Sequence, residues 1–148
     1  MSPILVGIDF SETADRVVRV ASDLAQGLGA TVYLIHVEPP DPDFVGYGPG
    51  PQHVRDHVAG EVMAHHEALR ALREMLTGDG IEAHGLVIQG SVAEKIIEEA
   101  QHLQADLIVV GSHGHGALYD LLLGSVSEGV LRRATCPVVL IPAREAKT

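Results

Sequence analysis

Residues 107–142 read LIVVGSHGHGALYDLLLGSVSEGVLRRATCPVVLIP, and this stretch carries the strongest fold signal in the chain. Its apolar start, Leu107–Val110, predicts a fully buried strand. A glycine-rich segment follows, with Gly111, Gly114, Gly116 and Gly124. Ser125 and Glu128 then form an S-x-x-E capping box, which predicts the start of a helix. Glycine-rich backbone at a helix N-terminus brings N–H groups against an anion, because no Cβ blocks the approach. The stretch predicts a phosphate-binding loop; glycines for a tight turn and an ordinary serine cap are the alternative.

Strand and helix patterns alternate along the rest of the chain. The expected strands are residues 3–8, 31–37, 81–89, 107–110 and 137–141, and the expected helices begin at Ser11, His53, Ser91 and Ser125. Most of the strands are apolar throughout, which is typical of a parallel sheet covered by helices on both faces. The pattern therefore predicts a single α/β domain over residues 1–148.

Two polar or glycine-rich segments follow strands of this sheet. Asp9 comes directly after the first strand, and Gly111 comes directly after the fourth. In open parallel sheets a ligand lies beyond the carboxyl ends of the strands, where the strand order reverses. If the first and fourth strands are neighbours, both segments face one crevice. The alternative for Asp9 is that its carboxylate only caps the turn into the first helix.

Composition excludes several classes of protein. No apolar run approaches the ~18–20 residues of a membrane helix, and the N-terminus lacks a secretory signal. The single cysteine fits a reducing compartment, so we expect a cytoplasmic protein. Residues 39–52 are rich in proline and glycine and are expected to form a long flexible loop, and residues 143–148 are expected to be a frayed tail.

Charge bears on the possible ligands. The net charge of −10, with Lys95 and Lys147 as the only lysines, argues against a nucleic acid partner, since duplex binding needs clustered basic residues. A triphosphate also meets a repulsive mean field at such a surface. We therefore expect a divalent cation, Mg²⁺ or Mn²⁺, to accompany it.

Motifs for catalysis are absent from the sequence. It has no G-x-x-x-x-G-K-[ST], no G-x-S-x-G and no G-x-G-x-x-G after the first strand, and no residue stands out as a base, so no catalytic residue is predicted. Four histidines, His53, His57, His65 and His66, fall on the expected long helix. Without an H-E-x-x-H motif or a cysteine cluster, we interpret them as a solvated face and predict no metal site.

The spacing G-x-x-G-x9-G-S from Gly111 to Ser125 resembles the nucleotide-binding signature of the universal stress protein family, in its ATP-binding subgroup. Residues 8–14 (IDFSETA), 34–37 (LIHV) and 136–141 (CPVVLI) are similar to other strands and turns of that family. The resemblance implies a Rossmann-like, adenine nucleotide alpha hydrolase-like fold with strand order 3-2-1-4-5. It also implies ATP binding, a stress-response or signalling role with an unknown partner, and a homodimer through the fifth strand.

The resemblance further implies the residues of a nucleotide site. They are Gly7, Ile8, Asp9, Val37, Val110, Gly111, Ser112, His113, Gly114, His115, Gly124, Ser125, Val126 and Ser127. Asp9 is assigned to the ribose or adenine side and Val37 to an apolar wall for adenine, with plain core as the alternative for Val37. Gly7 and Ile8 would line the base pocket through their backbone, and Val110 would touch the base.

The remaining residues of that set are expected to face the phosphates. Ser125 and Ser127 could supply hydroxyl donors beside the amide of Val126, and His113 and His115 could supply imidazole donors. Exposed loop histidines are the alternative interpretation for the last two. Two other functions stay open: slow ATP hydrolysis or nucleotidyl or phosphoryl transfer using His113, His115 and Asp120, and a dimeric scaffold that binds AMP, cyclic AMP or no nucleotide.

Overall fold

Strands and helices alternate along the chain in the computed structural model, which describes residues 2–39, 52–112 and 123–143. The elements are β1 (Pro3–Gly7), α1 (Ala14–Leu28), β2 (Thr31–Glu38), α2 (Gln52–Gly78), β3 (Ala83–Gln89), α3 (Val92–Leu103), β4 (Leu107–Gly111), α4 (Ser125–Arg133) and β5 (Val138–Ile141). No helix in these described ranges is long and apolar enough to cross a membrane. The loop predicted at 39–52 and the tail predicted at 143–148 lie largely outside them.

The five strands form one sheet in the order β3-β2-β1-β4-β5, and every pairing is parallel. In the central strand, β1, Val6 pairs with Leu34 of β2 on one side and with Val109 of β4 on the other. Parallel neighbours require a crossover, and each helix supplies one. The predicted fold class and strand order are confirmed.

Hydrophobic residues cover both faces of the sheet, because successive side chains of a strand point to opposite sides. Ile4, Val6, Val32 and Leu34 pack with buried residues of α1 and α2 on one face. Leu5, Ile35, Val37, Ile108 and Val110 pack with Ile96, Ile97 and Val130 of α3 and α4 on the other. These strand residues are at most 6% exposed, which explains why the strands read as continuous apolar runs.

The helix starts differ from the predicted serine caps. The N-cap of α1 is Thr13 and not Ser11, whose carbonyl accepts a hydrogen bond from the Ala14 amide at 3.1 Å. The N-cap of α4 is Gly124, so Ser125 is already the first helical residue. The predicted capping box is therefore wrong, and the Glu128 carboxylate instead accepts a hydrogen bond from Arg132 at 2.6 Å. Only α3 begins directly after its predicted cap, Ser91, although that hydroxyl makes no capping bond.

Each strand differs from its predicted bounds by one or two residues, and the largest difference is at the start of β3. β3 begins at Ala83 and not at Ile81. The Ile81 amide donates to the Leu76 carbonyl at 3.0 Å, and Gly80 has a φ of +83°, so both residues belong to the turn that ends α2. That turn uses the left-handed conformation that glycine adopts without strain.

Candidate functional site

The carboxyl ends of β1 and β4 lie side by side at one edge of the sheet, because the two strands are parallel neighbours. β1 ends at Gly7, two residues before Asp9, and β4 ends at Gly111. The strand order changes direction between these two strands, which is where ligands of open α/β sheets bind. The predicted adjacency of the first and fourth strands is confirmed, and the meeting of the Asp9 turn and the glycine-rich segment at one crevice stays a prediction.

Hydrogen bonds fix the start of α4 over the end of β4. The Gly124 amide donates to the Ser112 carbonyl at 2.7 Å, and the Ser112 amide donates to the Ile141 carbonyl at 2.8 Å. The Ser127 hydroxyl donates to the Gly111 carbonyl at 2.6 Å, and Ser127 is only 2% exposed. The N-terminus of α4 is therefore held at the crevice by bonds that span β4 and β5.

The first turn of α4 keeps donors for a ligand. The first hydrogen bond along the helix runs from the Glu128 amide to the Gly124 carbonyl, so the amides of Ser125, Val126 and Ser127 have no partner within the helix. The N-cap, Gly124, has no side chain that could cap these amides. Ser125 and Val126 are exposed. Unpaired amides and the positive end of the helix dipole favour an anion here.

Two predicted phosphate donors have other partners. The Gly124 amide, expected among the unpaired groups, donates to Ser112, and the Ser127 hydroxyl donates to Gly111. Both were expected to face a ligand. Each instead closes the loop onto the sheet, so the donors that remain at this turn are the amides of the first helical residues and the exposed Ser125 hydroxyl.

Asp9 is exposed, and its Oδ1 accepts a hydrogen bond from the Ser11 amide at 2.9 Å. The turn-capping alternative is therefore observed, and it leaves the rest of an exposed carboxylate at the crevice. The next residue, Phe10, has a φ of +57°, which an aromatic residue rarely adopts. Strained backbone of this kind is concentrated at functional sites, so the turn is a functional candidate on geometry alone.

The residues expected to surround the base are mostly core residues. Val37 is 6% exposed and Val110 is 4% exposed, and both pack in the cluster under α3 and α4. A Cβ added at Gly7 would lie 3.0 Å from Val110 Cγ1, so this glycine is needed for packing. The Ile8 amide donates to the Ile35 carbonyl, so the amide is not left for a base, whereas the Ile8 carbonyl accepts from His36 and keeps a second lone pair. The backbone role expected of Ile8 stays a prediction for its carbonyl.

Several predicted positions lie outside the described residues. They are His113, Gly114 and His115, together with Gly116 and Asp120. The structure describes where the loop leaves the sheet, at Gly111 and Ser112, and where it enters α4, from residue 123 onward.

A polar cluster on the other side of the Asp9 turn was missed by the sequence analysis. His36 and Glu38 of β2 meet His65 of α2, and the Glu38 carboxylate contacts both imidazoles. The expectation of a solvated face holds for His66, which is exposed, but is wrong for His65. The available signal was the H-x-E pair at 36 and 38, since alternate residues of a strand lie on the same face.

The fold and the crevice can now be compared with known proteins. The sequence model described as the universal stress protein family matches residues 1–142. This chain belongs to the universal stress protein family.

Individual relatives agree with that assignment. This universal stress protein is 37% identical, over 138 residues, to the Thermus aquaticus protein named "Universal stress protein in QAH/OAS sulfhydrylase 3'region", covering 93% of this chain and 96% of that one. The structure of universal stress protein UspA from Lactobacillus plantarum has a TM-score of 0.81 at 24% identity, over 95% and 97% of the two chains. The universal stress protein from Archaeoglobus fulgidus, solved in complex with dAMP, has a TM-score of 0.69 at 25% identity, over 95% and 98%.

Proposed function

We propose that this universal stress protein binds ATP, together with Mg²⁺ or Mn²⁺, in the crevice between β1 and β4, and that it acts as a stress-response or signalling module. The observation that carries the proposal is the N-terminus of α4, whose first amides are unpaired within the helix and are held over the end of β4, the strand next to β1. The family membership and the relative solved with dAMP support a nucleotide as the ligand.

The residues at the crevice fit the parts of a nucleotide. The amides of Ser125 and Val126 would donate to phosphate oxygens, and the Ser125 hydroxyl would add a further donor. The exposed Asp9 carboxylate would accept from ribose hydroxyls. Val37 and Val110 would form an apolar floor, since both are nearly buried at this edge.

A divalent cation fits the charge of the chain. With a net charge of −10, the protein repels a bare triphosphate, and a cation on the phosphates reduces that repulsion. Removing divalent cations with EDTA is therefore expected to weaken ATP binding, and restoring Mg²⁺ is expected to recover it. Equal affinity with and without the cation would contradict this part of the proposal.

The decisive experiment is a calorimetric titration of the folded protein with ATP and Mg²⁺, followed by two substitutions at Ser125. Ser125→Pro removes the amide donor at the first helical position, where proline is well tolerated, and the preceding residue already has a compatible φ of −73° and ψ of 163°. Ser125→Ala keeps the amide and removes only the hydroxyl. We expect Ser125→Pro to weaken ATP binding by about tenfold or more, the loss of one charge-assisted hydrogen bond, and Ser125→Ala to have a smaller effect.

Two results would overturn the binding proposal. A titration of the folded wild-type protein that releases no heat and shows no binding by a second method would reject a nucleotide site. Equal ATP affinity in wild type and Ser125→Pro would show that the start of α4 does not hold the phosphates.

A nucleoside monophosphate is the second candidate ligand, favoured by the dAMP complex of the Archaeoglobus fulgidus relative. The described donors at α4 are few enough to be filled by one phosphate group. Titration with AMP in parallel with ATP distinguishes the two ligands. Tighter binding of AMP, independent of Mg²⁺, would favour the monophosphate.

We also propose a homodimer formed through β5. This strand lies at the edge of the sheet, and Val138, Val139 and Leu140 are only half-buried in the single chain. An apolar edge strand of this kind pairs readily with a second copy. Native mass spectrometry is expected to give twice the 15.7 kDa mass of one chain and to reveal any nucleotide that co-purifies. A single-chain mass at micromolar concentration would reject the dimer.

A further inference from the structure

Three side chains that can bind a metal converge beside the Asp9 turn, on the face of the sheet opposite Val37. His36 and Glu38 lie on the same face of β2, and α2 packs on β2 and β3 and brings His65 to them. One ligand atom from each residue lies within 4.8 Å of the other two. His36 is 7% exposed, so most of this cluster is shielded from solvent.

An aromatic side chain closes one side of the cluster. Phe10 stacks on His65 with ring centroids 5.0 Å apart, and it tilts against His36 at 4.7 Å. The two imidazoles meet edge to face at 4.6 Å. Phe10 adopts its left-handed backbone conformation in this position, so the cluster is tied to the strained turn that carries Asp9.

The hydrogen bonds of His36 determine which of its nitrogens is available. The Ile8 carbonyl lies 2.6 Å from Nδ1, and a carbonyl can only accept, so Nδ1 carries the proton and donates it. In the neutral ring Nε2 then holds a lone pair. Nε2 lies 3.1 Å from Glu38 Oε1, which is also an acceptor, and His65 Nδ1 contacts the same oxygen. Two acceptor atoms that face each other repel, so a cation between His36 Nε2 and Glu38 Oε1 would stabilise this arrangement.

We propose that His36 Nε2, Glu38 Oε1 and His65 Nδ1 bind a zinc ion. Two imidazoles and one carboxylate form a ligand set that zinc uses when a fourth position is open to water, and imidazole ligands disfavour Mg²⁺ and Ca²⁺. The bond from His36 Nδ1–H to a backbone carbonyl orients the ring as in known metal sites. This site differs from the cation proposed on the phosphates of ATP and does not depend on nucleotide binding.

The spacing of the ligand atoms is compatible with zinc. Ligand atoms bound tetrahedrally about 2.0–2.2 Å from zinc lie about 3.3–3.5 Å apart. The 3.1 Å between His36 and Glu38 is already close to that value. His65 Nδ1 lies closer to Glu38 Oε1 than two ligands of one zinc ion lie, and it lies within 4.8 Å of His36 Nε2, so binding requires the His65 side chain to move away from the carboxylate and toward His36. The His65 side chain, which is 32% exposed, has room for such a shift. The ion would then join α2 to β2.

The test is a zinc titration of the full chain, stripped of metal with EDTA, dialysed and free of nucleotide. Calorimetry and the thermal unfolding midpoint are measured for wild type, Glu38→Gln, His65→Gln and the control His66→Gln. His66 is the exposed neighbour of His65 and is not part of the cluster. We expect one zinc ion per wild-type chain, a higher unfolding midpoint with zinc, and affinity reduced about tenfold or more in the first two variants but not in the control.

The alternative is a cluster that shares a proton and binds no metal. Absence of zinc binding in the wild-type protein would establish that alternative and overturn the proposal. Equal zinc affinity in wild type and His65→Gln would also overturn it, because the ion would then be held by other residues. If Glu38→Gln failed to fold, the half-exposed His65→Gln would decide the question alone.

Discussion

Replacing Ser127 with alanine removes the hydroxyl that ties α4 to the end of β4. This hydroxyl donates to the Gly111 carbonyl at 2.6 Å, in a residue that is 2% exposed. A buried carbonyl that loses its donor costs about 1–3 kcal/mol, and alanine recovers about 0.5 kcal/mol through its higher helix propensity. We therefore expect Ser127→Ala to reduce the free energy of unfolding by about 1–2 kcal/mol. For a chain of this size the unfolding temperature falls by about 2–4 °C for each of these kcal/mol.

Ser125→Ala is the matched control, because Ser125 lies two residues earlier in the same helix and is exposed. We expect its free energy of unfolding to stay within about 0.5 kcal/mol of wild type. Urea unfolding followed by circular dichroism measures both variants. If Ser127→Ala were as stable as Ser125→Ala and lost ATP affinity, the Ser127 hydroxyl would have to face the ligand, and the structural role argued here would be wrong.

Two further perturbations test the packing and the charge around the crevice. A Cβ at Gly129 would lie 2.9 Å from the Ala93 Cβ, so Gly129→Ala forces α3 and α4 apart. Overpacking of this kind costs about 1–3 kcal/mol, and the higher helix propensity of alanine offsets part of that cost. We expect the free energy of unfolding to fall by about 1 kcal/mol. Gly27→Ala, which meets no atom within 4 Å, is expected to be neutral or stabilising in the same urea experiment, and equal effects would contradict the clash. Burial, and then the negative charge of Asp106, raise the pKa of Cys136 above the usual value of a free thiol, so less thiolate is present in the folded chain than in the unfolded chain at the same pH. The midpoint of the pH profile of iodoacetamide alkylation is expected at a higher pH in the folded protein than in urea. In Asp106→Asn the midpoint of the folded protein is expected to move part of the way down. Equal midpoints in the folded and the unfolded wild-type protein would contradict this.

The arrangement of the sheet could be predicted from the sequence because burial on two faces leaves a clear pattern. Strands such as Leu107–Gly111 are apolar at every position only when helices cover both sides. The caps could not be predicted in the same way. A capping box describes a local bond, and at α4 the tertiary bonds of Gly124 and Ser127 to the end of β4 shifted the helix start by one residue.

The candidate site was predictable in position but not in the role of each atom. The adjacency of Asp9 and Gly111 follows from strand order, which the resemblance supplied. The hydrogen bond to the Ile8 carbonyl, by contrast, comes from His36, and local sequence patterns do not predict a contact between residues so far apart in the chain. The contact between His65 and Glu38 likewise requires the packing of α2 on β2. His65 lies three residues after Val62 and four before Leu69, on the helix face that packs on the sheet, but this position does not identify Glu38 as its partner.

Ser112 joins the glycine-rich loop to the strand at which a second copy would add. Its carbonyl accepts a hydrogen bond from the Gly124 amide, and its amide donates to the carbonyl of Ile141, the last residue of β5. The loop and the outer strand are thus connected by the two backbone hydrogen bonds of a single residue. If a nucleotide occupies the crevice and a second copy pairs with β5, as proposed above, each event is expected to change the equilibrium of the other.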